Sequence, residues 1–136
     1  MSNTDEVRWQ QRLSNFQKAL NQLERACEKD EYSEIEQAGL VQMFEFSFEL
    51  AWKTLKDLLF YEGFDEKTPR SVLRRAYEVG YLNEDDAEIS LEALDKRNIL
   101  SHTYNDEIAK EAIKLIKGKY APMLCRLRDT LLKRRG

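Results

Sequence analysis

Between residues 5 and 29 the apolar positions fall in alternating steps of four and three: Trp9, Leu13, Phe16, Leu20, Leu23 and Cys27. That spacing lines one face of an α-helix and predicts a first helix over 5–29. Cys27 continues the stripe, which makes it a small core residue rather than a reactive thiol. Ser33, with Glu36 three residues on, has the form of a capping box and opens a second helix. Residues 44–50, FEFSFEL, alternate as a strand would. In their surroundings, however, Val41, Phe44, Phe48, Ala51, Leu55 and Leu58 recur at helical spacing, and no Gly or Pro intervenes between Gly39 and Gly63. One long helix is predicted. Phe46, Leu50 and Leu59 project off its main stripe, and a helix apolar on more than one side lies centrally or meets a second chain. Trp9 and Trp52 are assigned to the core.

Gly63 suits the position just past the end of that helix. Thr68 followed by Pro69 starts a short third helix that Gly80 ends. Asn83, with Asp86 three residues later, caps a fourth whose inward stripe reads Ala87, Leu91, Leu94 and then Asn98. Asn105 caps a fifth with the stripe Ile108, Ala112, Leu115, Ile116, Tyr120, Leu124, Leu127 and Leu131. Pro122 falls inside it, and its ring opposes the carbonyl of Gly118, which predicts a kink. The chain carries no repeat, low-complexity tract or long linker. The expectation is a single all-α domain over 1–136, an up-and-down bundle of about five helices.

Composition agrees. Eighteen Leu against four Val and six Ile, with five Gly and two Pro, favour helix over sheet. With 136 residues, 42% apolar and 35% charged, the chain fits a soluble globular domain with a core of its own. Glu45, Glu49, Lys53 and Lys56 break the most apolar stretch, so no membrane span is expected, and the polar start of the chain points to the cytoplasm. Two distant Cys and one His make neither a disulfide scaffold nor a zinc site, so no metal and no cofactor are expected. The net charge of −3 conceals an asymmetry. From Asp106 onward nine Lys and Arg stand against four Asp and Glu. That excess fits an ordinary basic helix face and a surface for nucleic acid or an acidic partner equally well.

The stripe of the fourth helix turns polar at its end, where Arg97 lies beside Asn98 and His102 follows. Five residues on an unbroken helix set two side chains about 140° apart. Arg97 and His102 therefore converge only if the backbone leaves the helix between them, as the segment 101–105, SHTYN, allows ahead of its cap. By themselves the two residues also fit an arginine paired with an acid and a histidine bonded to a helix end. Tyr104 has two readings as well, because a ring just before a cap can staple onto the first turn near Ile108.

Residues 44–60, FEFSFELAWKTLKDLLF, together with 97–104, RNILSHTY, resemble the HEPN superfamily. The branch they resemble is that of the nucleotidyltransferase substrate-binding proteins, which includes the HepT-type toxins of MNT–HEPN pairs. Residues 68–83, TPRSVLRRAYEVGYLN, resemble the same branch. The resemblance implies a homodimeric helical bundle acting as a metal-independent ribonuclease toxin on RNA. It implies a small MNT-type nucleotidyltransferase as antitoxin, which silences the toxin by transferring AMP to the motif tyrosine. Arg97, His102 and Tyr104 match the Arg-x4-His-x-Tyr positions, and Asn98 matches the polar residue that follows the arginine. An older view of the family makes it a non-catalytic substrate-binding subunit.

Phosphodiester chemistry fits the first version. Cleaving RNA without metal needs a base for the 2′-hydroxyl, an acid for the leaving oxygen and positive charge on the phosphate. His102 is the side chain whose unperturbed pKa lies near neutrality, and Arg97 offers a planar, permanently charged fork. One His does not readily serve as base and acid in a single step, whereas a two-fold dimer supplies a second His and a second Arg.

Overall fold

The computed structural model describes residues 3–100 and 106–136, with residues 98–100 described in their backbone alone. Helix α1 (Asn3–Ala26) buries Trp9, Leu13, Phe16, Leu20 and Leu23, the stripe read from the sequence. It ends a turn before the expected limit, so Cys27 is half-buried at the helix end and packs against the core from its edge. The Tyr32 hydroxyl donates to the Ala26 carbonyl at 2.6 Å and so satisfies one of the orphan acceptors there. Both cysteines are free thiols. Burial pushes each thiol up, Cys125 to about 12, which keeps them protonated and slow to react.

Helix α2 (Glu34–Tyr61) opens on the expected capping box, with Ser33 and Glu36 each bonding the other's backbone N–H. Gly63, at φ +99°, turns the chain away after its last turn. Helix α3 (Pro69–Glu78) has Thr68 as cap and Pro69 in its first turn, and Gly80 follows it at φ +96°. Helix α4 (Glu84–Leu100) begins with the Asp86 N–H donating to Asn83 Oδ1 at 2.7 Å. The expected cap at Asn105 lies outside the described residues, and α5 (Asp106–Leu115) follows.

The last helical segment is divided. Between α5 and α6 (Ala121–Arg135) residues Ile116–Tyr120 form a π-helical turn, in which the Ala121 N–H reaches back five residues to the Ile116 carbonyl. Pro122 cannot donate to Gly118 and its ring would collide with that carbonyl, so the expected kink is accommodated as a wider turn. Pro122 then sits in the first turn of α6, where a missing N–H costs little.

Pairing across α1 and α2 runs in opposite senses, from Lys29–Glu36 through Arg12–Asp57 to Tyr61–Glu6. The last helical segment runs against α1 in the same way, with Lys117 of the π turn on the Lys29 carbonyl just past the end of α1 and Arg134 of α6 over the Trp9 ring. Helix α2 has α1, α3, α5 and α6 against it. That position explains one correction. Leu59 does not project toward a second chain but is fully buried, because α2 needs a wide apolar face to meet several neighbours. The inward face of α4 also differs from the expected one. Ala87, Ser90 and Ala93 are buried, whereas Leu91 and Leu94 are half-buried at its border.

Tyr120, delivered by the π turn, ties three helical segments together. It is buried, stacks on Phe44 of α2 with ring centroids 5.4 Å apart, and donates its hydroxyl to Glu92 of α4 at 2.7 Å. Burial and then that bond raise the phenol well above its ordinary 10, and burial with a bond to Glu62 raises Tyr81 to about 12. Raised values in the fold mean that stability is fully present below pH ~10 and falls as the unfolded phenols ionise above it. Urea unfolding between pH 8 and 11 is expected to show this alkaline decline. It should be shallower in Tyr120→Phe, and an identical slope in the variant would refute the assignment.

Candidate functional site

Arg97 stands in the last turn of α4 and meets the middle of α2. Its Nη1 lies 3.4 Å from Glu49 Oε2. The same carboxylate oxygen accepts from Trp52 Nε1 at 3.0 Å, and Lys53 Nζ is 3.3 Å from the other oxygen. Trp52 and Lys53 lie three and four residues beyond Glu49 on one helix face, so α2 itself fixes the carboxylate and α4 brings the guanidinium to it. Burial pushes the Glu49 carboxyl up, but bonds from Trp52 and Lys53 and the charges of Lys53 and Arg97 outweigh it, holding it below its ordinary value. Glu45, one turn earlier, is half-buried. Desolvation raises its carboxyl, and the charge of Arg97 opposes that rise. Arg97 thus faces two carboxylates spaced i, i+4 on α2.

The ion pair is partly open to water, with side-chain exposures of 36% for Arg97 and 40% for Glu49. Pairs this exposed contribute about 0–1 kcal/mol to stability.

Beside the glutamates runs an apolar strip on the outer side of α2. Phe46 is 61% exposed, Met43 is exposed, and Leu50 is half-buried. Phe46 and Leu50 therefore stand where the sequence expects residues left over from the core, although Leu59 does not.

Of the expected site residues, the structure describes Arg97 in full and Asn98 in its backbone. The Asn98 side chain, His102 and Tyr104 lie outside the described residues. Glu49 and Glu45 are not among the expected site residues, and in the sequence they stand out only as breaks in an apolar run. A signal for them was there: two acids one turn apart inside the Phe-rich segment. Among the described residues no three His, Cys, Asp or Glu side chains are grouped to hold a metal ion. Nor is any described helix long and apolar enough to cross a membrane.

A crystal structure of a protein from Thermus thermophilus superposes on this fold with a TM-score of 0.78 at 31% identity, over 88% of this chain and 98% of that one. No curated protein matches. Residues 11–133 match the family described as nucleotidyltransferase substrate binding protein like, the branch that residues 44–60 and 97–104 resemble. The helical bundle is the architecture expected of a HEPN-type domain, and the chain belongs to the nucleotidyltransferase substrate binding protein-like family.

Proposed function

We propose that this chain is the companion of a nucleotidyltransferase and engages it as its substrate-binding subunit. The family match across residues 11–133 carries that reading. A second reading builds on it. In it the chain is a metal-independent ribonuclease toxin, a homodimer in which Arg97 binds RNA phosphate and His102 moves protons. Asn98 supports them, and the nucleotidyltransferase acts as antitoxin by transferring AMP to Tyr104. Support for this reading comes from Arg97, a partly exposed guanidinium oriented by a fixed carboxylate, five residues before the lone His. The exposed strip of Met43, Phe46 and Leu50 beside it suits a second copy of the chain, which would provide the second histidine.

AMP on Tyr104 would set a negative phosphate near Arg97 in sequence and compete for the charge meant for RNA. Incubation with an MNT-type nucleotidyltransferase and ATP should add about 329 Da per transferred AMP to the intact mass. Tyr104→Phe should gain nothing and stay active in the transferase's presence. Equal gain on Tyr104→Phe would place the acceptor elsewhere. Failure of the two proteins to associate at all, by sedimentation of the mixture, would remove the companion reading itself.

A further inference from the structure

We propose that Glu49 is the positioning residue of the site: clamped by Trp52 and Lys53 on α2, its carboxylate holds the guanidinium of Arg97 in the plane in which it receives a phosphate. This rests on the ribonuclease reading of Arg97. Helix α4 ends within a turn of Arg97, and the side chain of an arginine there has several rotatable bonds and water on one side. Left alone it would sample many orientations and lose them on binding phosphate. The carboxylate removes that freedom beforehand. Its Oε2 accepts from Trp52 Nε1 at 3.0 Å and from Arg97 Nη1 at 3.4 Å, and Lys53 Nζ stands 3.3 Å from Oε1. Trp52 is itself buried, so the clamp is anchored in the core.

An acid beside a phosphate-binding arginine would be self-defeating if it cancelled the arginine's charge. Here Lys53 balances Glu49, so the trio of Glu49, Lys53 and Arg97 keeps one net positive charge. Glu45, one turn earlier on α2, is half-buried; burial raises its carboxyl and the charge of Arg97 opposes that rise. Glu49 therefore holds Arg97 without by itself cancelling the charge of the guanidinium.

The test compares wild type, Glu49→Gln and Glu49→Ala in cleavage of an oligoribonucleotide with chelator present, alongside the ¹⁵N side-chain resonances of Arg97. Glu49→Ala is expected to lose about 10- to 100-fold in kcat through a misplaced guanidinium. Its KM should stay within about threefold, because the charge itself is retained. Glu49→Gln keeps an oxygen that accepts from Trp52 and Arg97 and should recover most of the rate. The Arg97 resonances, slowed and dispersed in wild type and Glu49→Gln, should average in Glu49→Ala. Wild-type kcat in Glu49→Ala would overturn the proposal. So would equal losses in the two variants that merely follow a drop in thermal midpoint. If the wild-type protein cleaves no RNA, the ribonuclease reading fails by itself. Positioning is then judged on the resonances, and an Arg97 signal unchanged in Glu49→Ala overturns it.

Discussion

Arg97→Ala and His102→Ala are each expected, on the proposed ribonuclease reading, to abolish RNA cleavage and growth arrest while helical content remains that of the wild type. Losing a charge contact to the transition state, or a group that transfers a proton in it, costs roughly two to four powers of ten in rate. The two variants should fail differently. Arg97→Ala removes the fork proposed to neutralise phosphate, so it should weaken RNA binding as well as turnover. His102→Ala leaves binding near normal and removes the neutral-range limb of the pH–rate profile. The Arg97 change does not touch the core: Arg97 is partly exposed, and its pair with Glu49 adds little to stability. The measurements are cleavage of a labelled oligoribonucleotide with excess chelator, and growth on induced expression. Activity retained by His102→Ala, or cleavage by wild type that requires added divalent ion, would end the metal-independent mechanism and leave the binding-subunit reading.

How far the sequence shows this arrangement depends on the kind of interaction. Local interactions are readable. The box at Ser33, the helix start at Thr68 and Pro69, the Asn83 cap and the turns at Gly63 and Gly80 each involve residues within a few positions of one another, and all occur where the sequence places them. The orientation of α4 is not readable in this way. Ala87, Ile89, Leu91, Ala93 and Leu94 put apolar groups on several sides, so its periodicity leaves more than one inward face possible. The bundle turns Ala87, Ser90 and Ala93 inward and leaves the larger Leu91 and Leu94 at the border. Small residues let the helix axis come close to its neighbours, a packing choice that ranking by hydrophobicity misses. The site shows the same division. Arg-x4-His-x-Tyr is a short pattern visible in one line of sequence, whereas Glu49 meets Arg97 across 48 residues and two helices. Only the fold brings that pair together.

Phe44→Ala is expected to be the most damaging single truncation in the core, at about 3–5 kcal/mol. The ring is fully buried, lies 5.9 Å from Phe48 and 5.4 Å from Tyr120, and so packs α2 against the segment that follows α5. Its removal takes away both the transfer energy of an aromatic side chain and the surface against which Tyr120 stacks. Surrounding helices can close such a hole only in part, because the π turn and the Glu92 bond fix Tyr120 from its other side. A domain of this size has about 5–15 kcal/mol of stability in all, so the variant gives up roughly a fifth or more of it. Phe44→Leu keeps much of the volume and should cost closer to 1 kcal/mol. Urea unfolding midpoints at pH 7 measure both. The loss also reaches the site, since Tyr120 is bonded to the helix that carries Arg97: in Phe44→Ala the Tyr120–Glu92 bond should loosen and the alkaline decline in stability become shallower. A cost below about 1 kcal/mol for Phe44→Ala would mean that the Phe44–Tyr120 stack does not hold these helices together.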